Sequence, residues 1–373
     1  MRIGIDARFY GLSSAGLARY TQELLGELGK LSSAHMFVVF IHPEDAAAFP
    51  GNDRFELVET TTKHYSLKEQ FSFKREVERA HLDLMHFTNF NHPIRYRGPF
   101  VITIHDLTLL RHAGKSLAAA AKVPVMRGVL RSAFRNALEV VTISEYQKRL
   151  IIEGFHPDPA KIRVVYNGID ERFHSAHMTQ PQQDAFRKKK TGGSRYIMYA
   201  GQWRQHKNLV RLLKAYELLR RHHDVKLALV GKVDPAFPII PKTISELKLE
   251  EDVILTDFVE DDELLRYYGA AEVFAFPSLA EGFGFTPLEA IAAGVPVASS
   301  SAEPMPEILG DAAVYFNPRS TEDMVSSIES LLVDKGLRKQ LVEKGAERVR
   351  QFSWQTTATQ MLAVYDRALT QKA

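Results

Sequence analysis

The sequence predicts an α/β protein with two doubly wound domains. Short apolar runs rich in Val, Ile and Phe, such as Val101–His105 and Val273–Phe276, alternate with longer stretches of helical periodicity. Strands that are apolar on both faces are typical of parallel sheets covered by helices. The length of 373 residues, of which 45% are hydrophobic and 25% charged, fits two globular domains and not a disordered, fibrous or coiled-coil chain.

The same alternation of strands and helices recurs in both halves of the chain, so each half is expected to form its own parallel sheet. The strands predicted in the first half are Arg2–Asp6, Phe37–Ile41, Asp83–Phe87, Val101–His105, Glu139–Ile143 and Arg163–Tyr166, with helices at Leu17–Leu31, Leu117–Ala137 and Glu145–Glu153. The strands predicted in the second half are Tyr196–Ala200, Lys226–Val230, Val253–Leu255, Val273–Phe276 and Val295–Ala298, with helices at Asn208–His222, Asp262–Ala270 and Pro287–Ala293.

A polar segment over residues 174–193 separates the two halves. It contains the run Gln-Pro-Gln-Gln and ends in three lysines followed by Thr-Gly-Gly, a composition typical of linkers. We therefore expect an N-terminal domain of residues 1–173, a linker of residues 174–193 and a C-terminal domain of residues 194–352. The remaining residues, 353–373, have a helical pattern.

Composition excludes several classes of function. The sequence contains no Cys, so disulfides, cysteine-ligated zinc, iron–sulfur clusters and thiol catalysis are excluded. The charged start MRIGIDARFY does not resemble a signal peptide, and no run of eighteen apolar residues predicts a membrane span. Residues 1–190 carry a net charge of +7 and residues 191–373 one of −4, which suggests different partners for the two halves. A soluble, cytoplasmic protein is expected.

The segment SLAEGFGFTPLEA, residues 278–290, joins a predicted buried strand to a helix. Thr286 is expected as the N-cap, Pro287 as the first helical residue and Glu289 as the partner that completes a capping box. Capping accounts for Glu289 but not for Glu281, which precedes the helix. Glycines in this loop let backbone N–H groups approach a ligand near the positive end of the helix, where ligands bind in open α/β sheets.

The spacing from Glu281 to Glu289 resembles the E-x7-E motif of retaining glycosyltransferases of family 4, which have the GT-B fold. The resemblance extends over nearly the whole chain through the segments Thr103-Ile-His-Asp106, Val164-Val-Tyr-Asn-Gly-Ile-Asp170, Tyr199-Ala-Gly-Gln-Trp-Arg-Gln-His-Lys-Asn208, Ala290-Ile-Ala-Ala-Gly-Val-Pro-Val297 and Pro306-Glu307-Ile308. It implies two Rossmann-like domains that face each other across a cleft. It also implies that residues 353–373 return to the N-terminal domain.

The resemblance assigns donor-binding roles to the motif. It implies that Glu281 and the backbone of Gly282, Phe283 and Gly284 hold the hydroxyl groups of the donor sugar. It implies that Glu289 binds the ribose of the nucleotide, a role that does not exclude capping. The carboxylate oxygens of such residues are suitable acceptors for sugar hydroxyls.

A second group of candidate residues lies in the segment GQWRQHKN, residues 201–208. Cleavage of a sugar–diphosphate bond leaves negative charge that a cation must stabilise. Lys207 matches the diphosphate-binding lysine of the family, whereas His206 occupies the position of the usual arginine. We expect Arg204 to supply the second cation, the alternative being two solvated charges beside a helix start. Since the sequence lacks a D-x-D triplet, neither a metal nor another cofactor is expected.

Three further residues of the first half are candidates. His105 ends a predicted strand, and the resemblance implies that it contacts the reacting sugar in the cleft, although a lone histidine is often structural. Asp106 is expected to orient His105 or bind the acceptor, with helix capping as an equal alternative. Gly16 matches a family glycine near the donor diphosphate, but Ala15 replaces the first glycine of the usual pair.

The stretch 107–138 contains no acidic residue and is strongly basic. Its basic residues are Arg111, Lys115, Lys122, Arg127, Arg131 and Arg135. Arg127, Arg131 and Arg135 recur every four residues and would share one helix face. That face is either a solvated surface or a docking site for an anionic membrane that carries a lipid-linked acceptor. Nucleic acid is not expected, because no aromatic stacking platform accompanies the charges.

These observations lead to one expected function. The resemblance implies a retaining hexosyltransferase that uses a nucleotide-sugar. The Trp-Arg-x-His-Lys-Asn and Thr-Ile-His-Asp variants look most like those of mannosyltransferases of cell-surface polysaccharide assembly, so GDP-mannose is the first donor expected. UDP-glucose or UDP-GlcNAc is the alternative donor, and a non-catalytic nucleotide-sugar-binding scaffold is the alternative to an enzyme. The acceptor is expected to be a glycan or a lipid-linked sugar, with the enzyme cytoplasmic or peripheral on the inner face of the membrane.

Overall fold

The computed structural model describes residues 1–11, 15–107 and 117–372, with only the backbone described for residues 15, 117–122 and 372. The chain divides into two compact units. The first consists of Met1–Gly168 together with the segment that starts at Ser353, and the second consists of Ile169–Phe352. No helix among the described residues is both long enough and apolar enough to cross a lipid bilayer.

The described part of the first unit contains a seven-stranded parallel sheet in the order β3-β2-β1-β4-β5-β6-β7. Its strands are β1 (Arg2–Asp6), β2 (Met36–Ile41), β3 (Phe55–Glu59), β4 (Leu84–Phe87), β5 (Phe100–Ile104), β6 (Glu139–Thr142) and β7 (Ile162–Val164). The strand order reverses direction between β1 and β4. Ligands of open α/β sheets bind beyond the carboxyl ends of the strands at such a reversal.

Helices cover this sheet because its central strands are apolar on both faces. They are α1 (Ala15–Lys30), α2 (Pro43–Ala46), α3 (Lys74–Arg79), α4 (Leu117–Asn136), α5 (Glu145–Phe155) and α14 (Trp354–Lys372), with a π-helical turn at Glu69–Phe73. Side chains such as Phe40, Phe87 and Ile102 are fully buried between the sheet and these helices.

The second unit repeats this topology with six described strands in the order β10-β9-β8-β11-β12-β13, all parallel. They are β8 (Tyr196–Ala200), β9 (Lys226–Val230), β10 (Val253–Leu255), β11 (Val273–Phe276), β12 (Val297–Ser300) and β13 (Ala313–Phe316). The covering helices are α6 (Gln180–Thr191), α7 (Leu209–Leu219), α8 (Ile239–Glu246), α9 (Asp261–Gly269), α10 (Phe285–Ala292), α11 (Met305–Leu309), α12 (Thr321–Val333) and α13 (Lys335–Val349). The reversal of strand order lies between β8 and β11.

The segment 174–193 is not a linker, contrary to the sequence-based expectation. Most of it forms helix α6, which buries Phe186, Arg187 and Thr191 within the second unit. The ring of Phe186 packs edge-on against Tyr267, and the guanidinium of Arg187 donates to the carbonyl of Ala270 at 2.9 Å. The polar composition therefore did not indicate this helix, which packs on the second unit through only a few apolar and long side chains.

Candidate functional site

The loops that follow β8 and β11 lie side by side at the reversal of strand order in the second sheet. The backbone N–H of Leu279 donates to the carbonyl of His206 at 2.7 Å, which ties one loop to the other. The amide of Asn208 donates to the carbonyls of Pro277 at 3.0 Å and Pro318 at 2.8 Å. These bonds fix the two loops that carry most of the sequence-predicted donor-binding residues.

The first pair that the fold brings together is Lys207 and Glu281. The Nζ atom of Lys207 lies 2.7 Å from Oε1 of Glu281, and both side chains are mostly buried. The ammonium also lies 5.7 Å from the ring centroid of Phe276, at the end of β11. Burial, with a contribution from the negative charge of Glu281, raises the pKa of the neighbouring Tyr199 well above its ordinary value. Two sequence-predicted residues 74 positions apart are thus in direct contact.

Arg204, the expected second cation, is paired with Asp234 on the loop that follows β9. The guanidinium also donates to the carbonyl of Trp203 at 3.2 Å, and its side chain is 46% exposed. The backbone N–H of Ala236, and then Arg204, lower the pKa of Asp234 below its ordinary value. The pair is therefore accessible at the surface, and Arg204 can change partners.

The loop from Gly282 to Gly284 leads into helix α10, but the predicted capping box is wrong. The N-cap is Gly284 and not Thr286, and it has a φ of 96°, in the left-handed region that favours glycine. A Cβ atom there would lie 2.5 Å from Cε of Met305, so any other residue would both adopt a strained φ and require the flexible Met305 side chain to move. Helix α10 starts at Phe285, one residue before the expected cap, because this glycine already turns the chain.

Glu289 lies in the second turn of α10 and not at a capping position. Its side chain is only 3% exposed, and its carboxylate accepts a hydrogen bond from the hydroxyl of Tyr268 at 3.0 Å. The ring of Tyr268 packs edge-on against Phe173. A buried carboxylate held at a fixed position suits the binding of hydroxyl groups, but the same contacts also stabilise the unit.

His105 follows β5 at the carboxyl end of the first sheet. Its Nε2 atom donates to the carbonyl of Thr88 at 2.8 Å, and its ring lies edge-on to Tyr20 with centroids 4.5 Å apart. Burial lowers the pKa of His105 to about 4, so the imidazole is neutral near pH 7. Since Nε2 carries the proton, Nδ1 is an acceptor.

Gly16 and Asp106 lie in the same unit as His105. Gly16 is exposed in the first turn of α1, where the backbone N–H groups of a helix are available to an anion. Asp106 directly follows His105 and is exposed. The remainder of the loop before Gly16, residues 12–14, lies outside the described residues.

Comparison with known proteins identifies the family. The model of "Glycosyl transferases group 1" matches residues 181–348, and that of "Glycosyltransferase Family 4" matches residues 14–173. An MMP alpha-(1->4)-mannosyltransferase from Mycolicibacterium hassiacum is 30% identical over 286 residues, which cover 74% of this chain and 67% of that protein. The chain is a family 4 glycosyltransferase.

Another relative agrees with this assignment, and solved structures of low identity show the fold. O-antigen chain mannosyltransferase B of Escherichia coli is 26% identical to the glycosyltransferase over 289 residues, covering 76% of this chain and 74% of that one. Sucrose-phosphate synthase from Thermosynechococcus elongatus has a TM-score of 0.81 at 18% identity and covers 99% of both chains. Anabaena HepE in complex with UDP and glucose has a TM-score of 0.78 at 18% identity, covering 98% and 99%. The fold of the glycosyltransferase is GT-B.

The basic stretch of the glycosyltransferase is only partly described. Residues 108–116, with Arg111 and Lys115, lie outside the described residues, and the side chain of Lys122 does too. Arg127, Arg131 and Arg135 are exposed on helix α4, beside the buried Leu130 and Phe134. The three arginines therefore share one solvent-accessible face, as their spacing predicts.

Sequence reasoning missed three polar residues near the donor-site loops of the glycosyltransferase: Asp234, Tyr268 and Ser278. The hydroxyl of Ser278, two residues after the end of β11, is buried and has no hydrogen-bond partner among the described residues. Asp234 and Ser278 could have been found by examining every loop at the carboxyl ends of the predicted strands. Tyr268 lies within helix α9, and no sequence pattern signals its contact with Glu289. Across the described ranges, no group of three His, Asp or Glu residues is placed to hold a metal ion.

Proposed function

We propose that this glycosyltransferase moves mannose from GDP-mannose, with retention of configuration, to a glycan or lipid-linked acceptor during cell-surface polysaccharide assembly. The observation that carries the proposal is the Lys207–Glu281 pair at the carboxyl ends of β8 and β11. The carboxylate to which we assign sugar binding and the cation to which we assign diphosphate binding are in contact there. The names of the relatives, mannosyltransferases including one of O-antigen chains, favour mannose as the sugar and polysaccharide assembly as the setting.

The ion pairs suggest how the donor is bound. Lys207 and Arg204 are each paired with a carboxylate, Glu281 and Asp234 respectively. The diphosphate of a donor offers oxygen atoms that can replace both carboxylates as partners of the two cations. Once Lys207 binds the diphosphate, the carboxylate of Glu281 becomes available to accept hydrogen bonds from the sugar hydroxyls. Donor binding is therefore an exchange of partners, in which neither cation becomes uncompensated.

For the transfer step, we propose a substitution on one face of the sugar. The bond from the anomeric carbon to the diphosphate oxygen breaks, and the acceptor oxygen bonds to the same face. The proton of the acceptor hydroxyl passes to the departing phosphate oxygen. Lys207 and Arg204 stabilise the charge on that leaving group, which is the step at which fixed cations lower the barrier most. His105 contributes a neutral acceptor, Nδ1, for a hydroxyl of the sugar.

A panel of donors tests the sugar and the nucleotide. GDP-mannose, UDP-glucose and UDP-GlcNAc are each added to the protein, and both the thermal shift and the release of nucleoside diphosphate are measured. We expect the largest shift and turnover with GDP-mannose, and an NMR spectrum of the product that shows the anomeric configuration of the donor. Turnover with a UDP-sugar and not with GDP-mannose would identify that UDP-sugar as the donor. Binding without turnover of any donor, on mono- and oligosaccharide acceptors, would identify a scaffold.

We further propose that transfer requires no metal, because Lys207 and Arg204 supply the positive charge that the diphosphate needs. Activity should persist in excess EDTA and should not increase when Mg²⁺ or Mn²⁺ is restored. Activity that returns only with one of these ions would overturn this part of the proposal while leaving the donor assignment intact.

Finally, we propose that Arg127, Arg131 and Arg135 dock the first unit on an anionic membrane. Each arginine near such a surface contributes about 1 kcal/mol of binding free energy. Three arginines together should therefore raise the membrane partition coefficient roughly a hundredfold at low salt. Changing all three to Gln should release the protein from vesicles containing phosphatidylglycerol. The matched control changes three exposed lysines of the second unit, Lys188, Lys189 and Lys339, to Gln. Equal loss in both triple variants would indicate a general charge effect and not a docking face.

A further inference from the structure

An exposed apolar patch lies between β3 and β4 of the first unit. Leu67 is 83% exposed and Phe71 is 58% exposed. The two residues are four positions apart on the helical turns that lead into α3, so their side chains lie on the same face. Large apolar side chains that are exposed together mark interaction surfaces more often than single exposed ones do.

The turn that carries these side chains is anchored from inside. Glu69 is buried and lies 2.6 Å from the guanidinium of the fully buried Arg8. The ring of Phe73, also buried, packs against the same guanidinium at 3.6 Å. Since Glu69 and Phe73 are held inward by Arg8, Leu67 and Phe71 are directed to the solvent. Their exposure is therefore a fixed property of this turn.

The patch continues onto the next loop of the same unit. The side chain of Gln70 donates to the carbonyl of His92 at 3.2 Å and accepts from the N–H of Ile94 at 2.8 Å. Ile94 is also exposed, and we define the apolar patch as Leu67, Phe71 and Ile94. The ring of His92 lies 3.2 Å from the hydroxyl of Ser132 on helix α4. The patch is therefore connected, through His92, to the helix that carries the three exposed arginines.

Basic side chains surround the apolar patch. The exposed basic residues of the same two segments are Lys63, Lys68, Arg75, Arg79, Arg95 and Arg97. Arg97 donates to the carbonyl of Ile94 at 3.4 Å, which places its guanidinium beside the patch. Of the nearby acidic residues, Glu69 binds Arg8, Glu78 lies 2.6 Å from Lys74, and Glu76 accepts from the hydroxyl of Thr62, so the basic residues remain in excess. The rim is therefore positively charged.

We propose that the apolar patch inserts into the interface of an anionic lipid bilayer, with its basic rim among the lipid headgroups. Exposed leucine and phenylalanine surrounded by lysine and arginine are the chemistry of segments that lie in a membrane interface. This inference rests on the proposed membrane docking of α4 and adds an inserted apolar component to it. The two contributions differ in their response to salt, because charge attraction is screened and apolar burial is not.

The test measures co-sedimentation of the full chain with vesicles of phosphatidylcholine that contain phosphatidylglycerol, at low and at high salt. The variant L67S/F71S should lose at least about tenfold in partition at both salt concentrations. The matched control, F258S/V333S, removes two exposed apolar side chains from the second unit and should bind like the wild type. Transfer to a short soluble acceptor should stay unchanged in L67S/F71S, which also verifies that the variant is folded.

A second measurement detects insertion directly. The natural tryptophans, Trp203 and Trp354, are both buried, so a tryptophan at the patch is distinguishable from them. Phe71→Trp should give a blue-shifted emission with anionic vesicles, and brominated lipids should quench it. An emission that vesicles do not change, while the protein sediments with them, would overturn the inference.

The outcomes separate this inference from the proposal on which it rests. If wild type binds vesicles, the triple arginine variant loses binding and L67S/F71S does not, electrostatic docking stands and insertion is wrong. If wild type binds no vesicle at either salt concentration, both are wrong. If L67S/F71S instead abolishes a concentration-dependent dimer seen by sedimentation velocity, the patch binds a second copy of this chain, and the lipid assignment is wrong.

Discussion

The two units share one sheet topology but use their polar side chains differently. The first unit fully buries ionisable groups such as Arg8 and His86, whereas the second places two ion pairs at the carboxyl edge of its sheet. In these pairs the side chain of Arg204 is 46% exposed and that of Lys207, although mostly buried, is 19% exposed. Fully buried groups cannot change partners without a large penalty, but pairs that retain contact with solvent can. The contrast predicts that the fully buried groups of the first unit contribute to its stability, whereas the two pairs at the edge of the second sheet can exchange partners when a ligand binds.

His86 illustrates the first arrangement. It is fully buried between Thr103 on β5 and Tyr365 on α14, and each contact is 2.8 Å. Burial lowers the pKa of His86 to about 3, and burial lowers that of His92 to about 4. Both imidazoles are therefore neutral in the folded protein over the physiological range.

The largest effect is expected in the second unit, at Lys207. Lys207→Ala should lower kcat by about a hundredfold or more, because about 3 kcal/mol of leaving-group stabilisation is lost. Arg204→Ala should have a similar effect. Lys242→Ala removes another lysine of the same unit, paired with Glu246 at 3.6 Å, and should leave kcat unchanged. If kcat stays close to wild type in both Lys207→Ala and Arg204→Ala, these cations do not stabilise the leaving group, and the proposed functional difference between the units is wrong.

Lowering the pH should reduce the stability of the first unit more than that of the second. Unfolded histidine binds a proton below about pH 6.5, whereas folded His86 and His92 do so only near pH 3–4. Their contribution to stability is therefore present above pH 6.5 and is lost as the pH falls towards 4, by about 2 kcal/mol each at pH 5. Each unit carries one tryptophan, so fluorescence of Trp203→Phe and Trp354→Phe variants reports the two units separately.

We expect the thermal midpoint reported by Trp354, in the first unit, to fall more between pH 7 and pH 5 than the midpoint reported by Trp203. His86→Gln retains hydrogen-bonding groups but does not titrate, and it should reduce the acid sensitivity of the first unit. Equal falls in both midpoints would show that the buried histidines do not distinguish the units.

A smaller effect is expected at Glu289, the one site carboxylate of the second unit that is buried in the manner of the first. Glu289→Gln keeps an acceptor for Tyr268 but weakens the bond to a ribose, so KM for the donor should rise about tenfold with little change in kcat. Tyr268→Phe, which leaves the carboxylate in place, should change KM less. A loss of thermal stability at constant KM would make Glu289 a structural residue only.

The smallest effect is expected at Asp234. Asp234→Asn removes the carboxylate that competes with the donor for Arg204, so KM for the donor should fall by a few-fold, with no measurable change in unfolding temperature. Asp252→Asn breaks another Arg–Asp pair of the same unit, with Arg220, and serves as the control. If KM rises instead, Asp234 positions Arg204 for the diphosphate and does not compete with it.

Periodicity predicted most of the central strands to within two residues, because these strands are apolar on both faces. It missed β3 and β13, the outermost strands beside β2 and β12. The sequence of β3, FELVE, has charged residues between its apolar ones and is largely exposed, so it lacks the continuous apolar run by which the central strands are recognised. The same reason explains why α6 was mistaken for a linker: its burial depends on partners in α9 and the adjoining loop, which local composition does not show.

The candidate site could be predicted as a set of residues but not as a set of pairs. Motif spacing placed Lys207 and Glu281 on loops after neighbouring strands, which made their proximity predictable in outline. Neither the Arg204–Asp234 pair nor the Tyr268–Glu289 bond could be predicted, because both depend on tertiary packing. The first joins residues 30 positions apart and the second joins residues 21 positions apart. The capping box failed for a local reason, the left-handed Gly284.

The first unit is assembled from two separate segments of the chain, and helix α14 supplies part of its core. Ala358, Met361 and Tyr365 of this helix are fully buried. During synthesis, the continuous segment 169–352 leaves the ribosome complete, while the earlier residues still lack α14. The second unit can therefore fold before the first, although it is translated later. A chain that lacks α14 would expose the apolar surface of the first unit that Ala358, Met361 and Tyr365 cover.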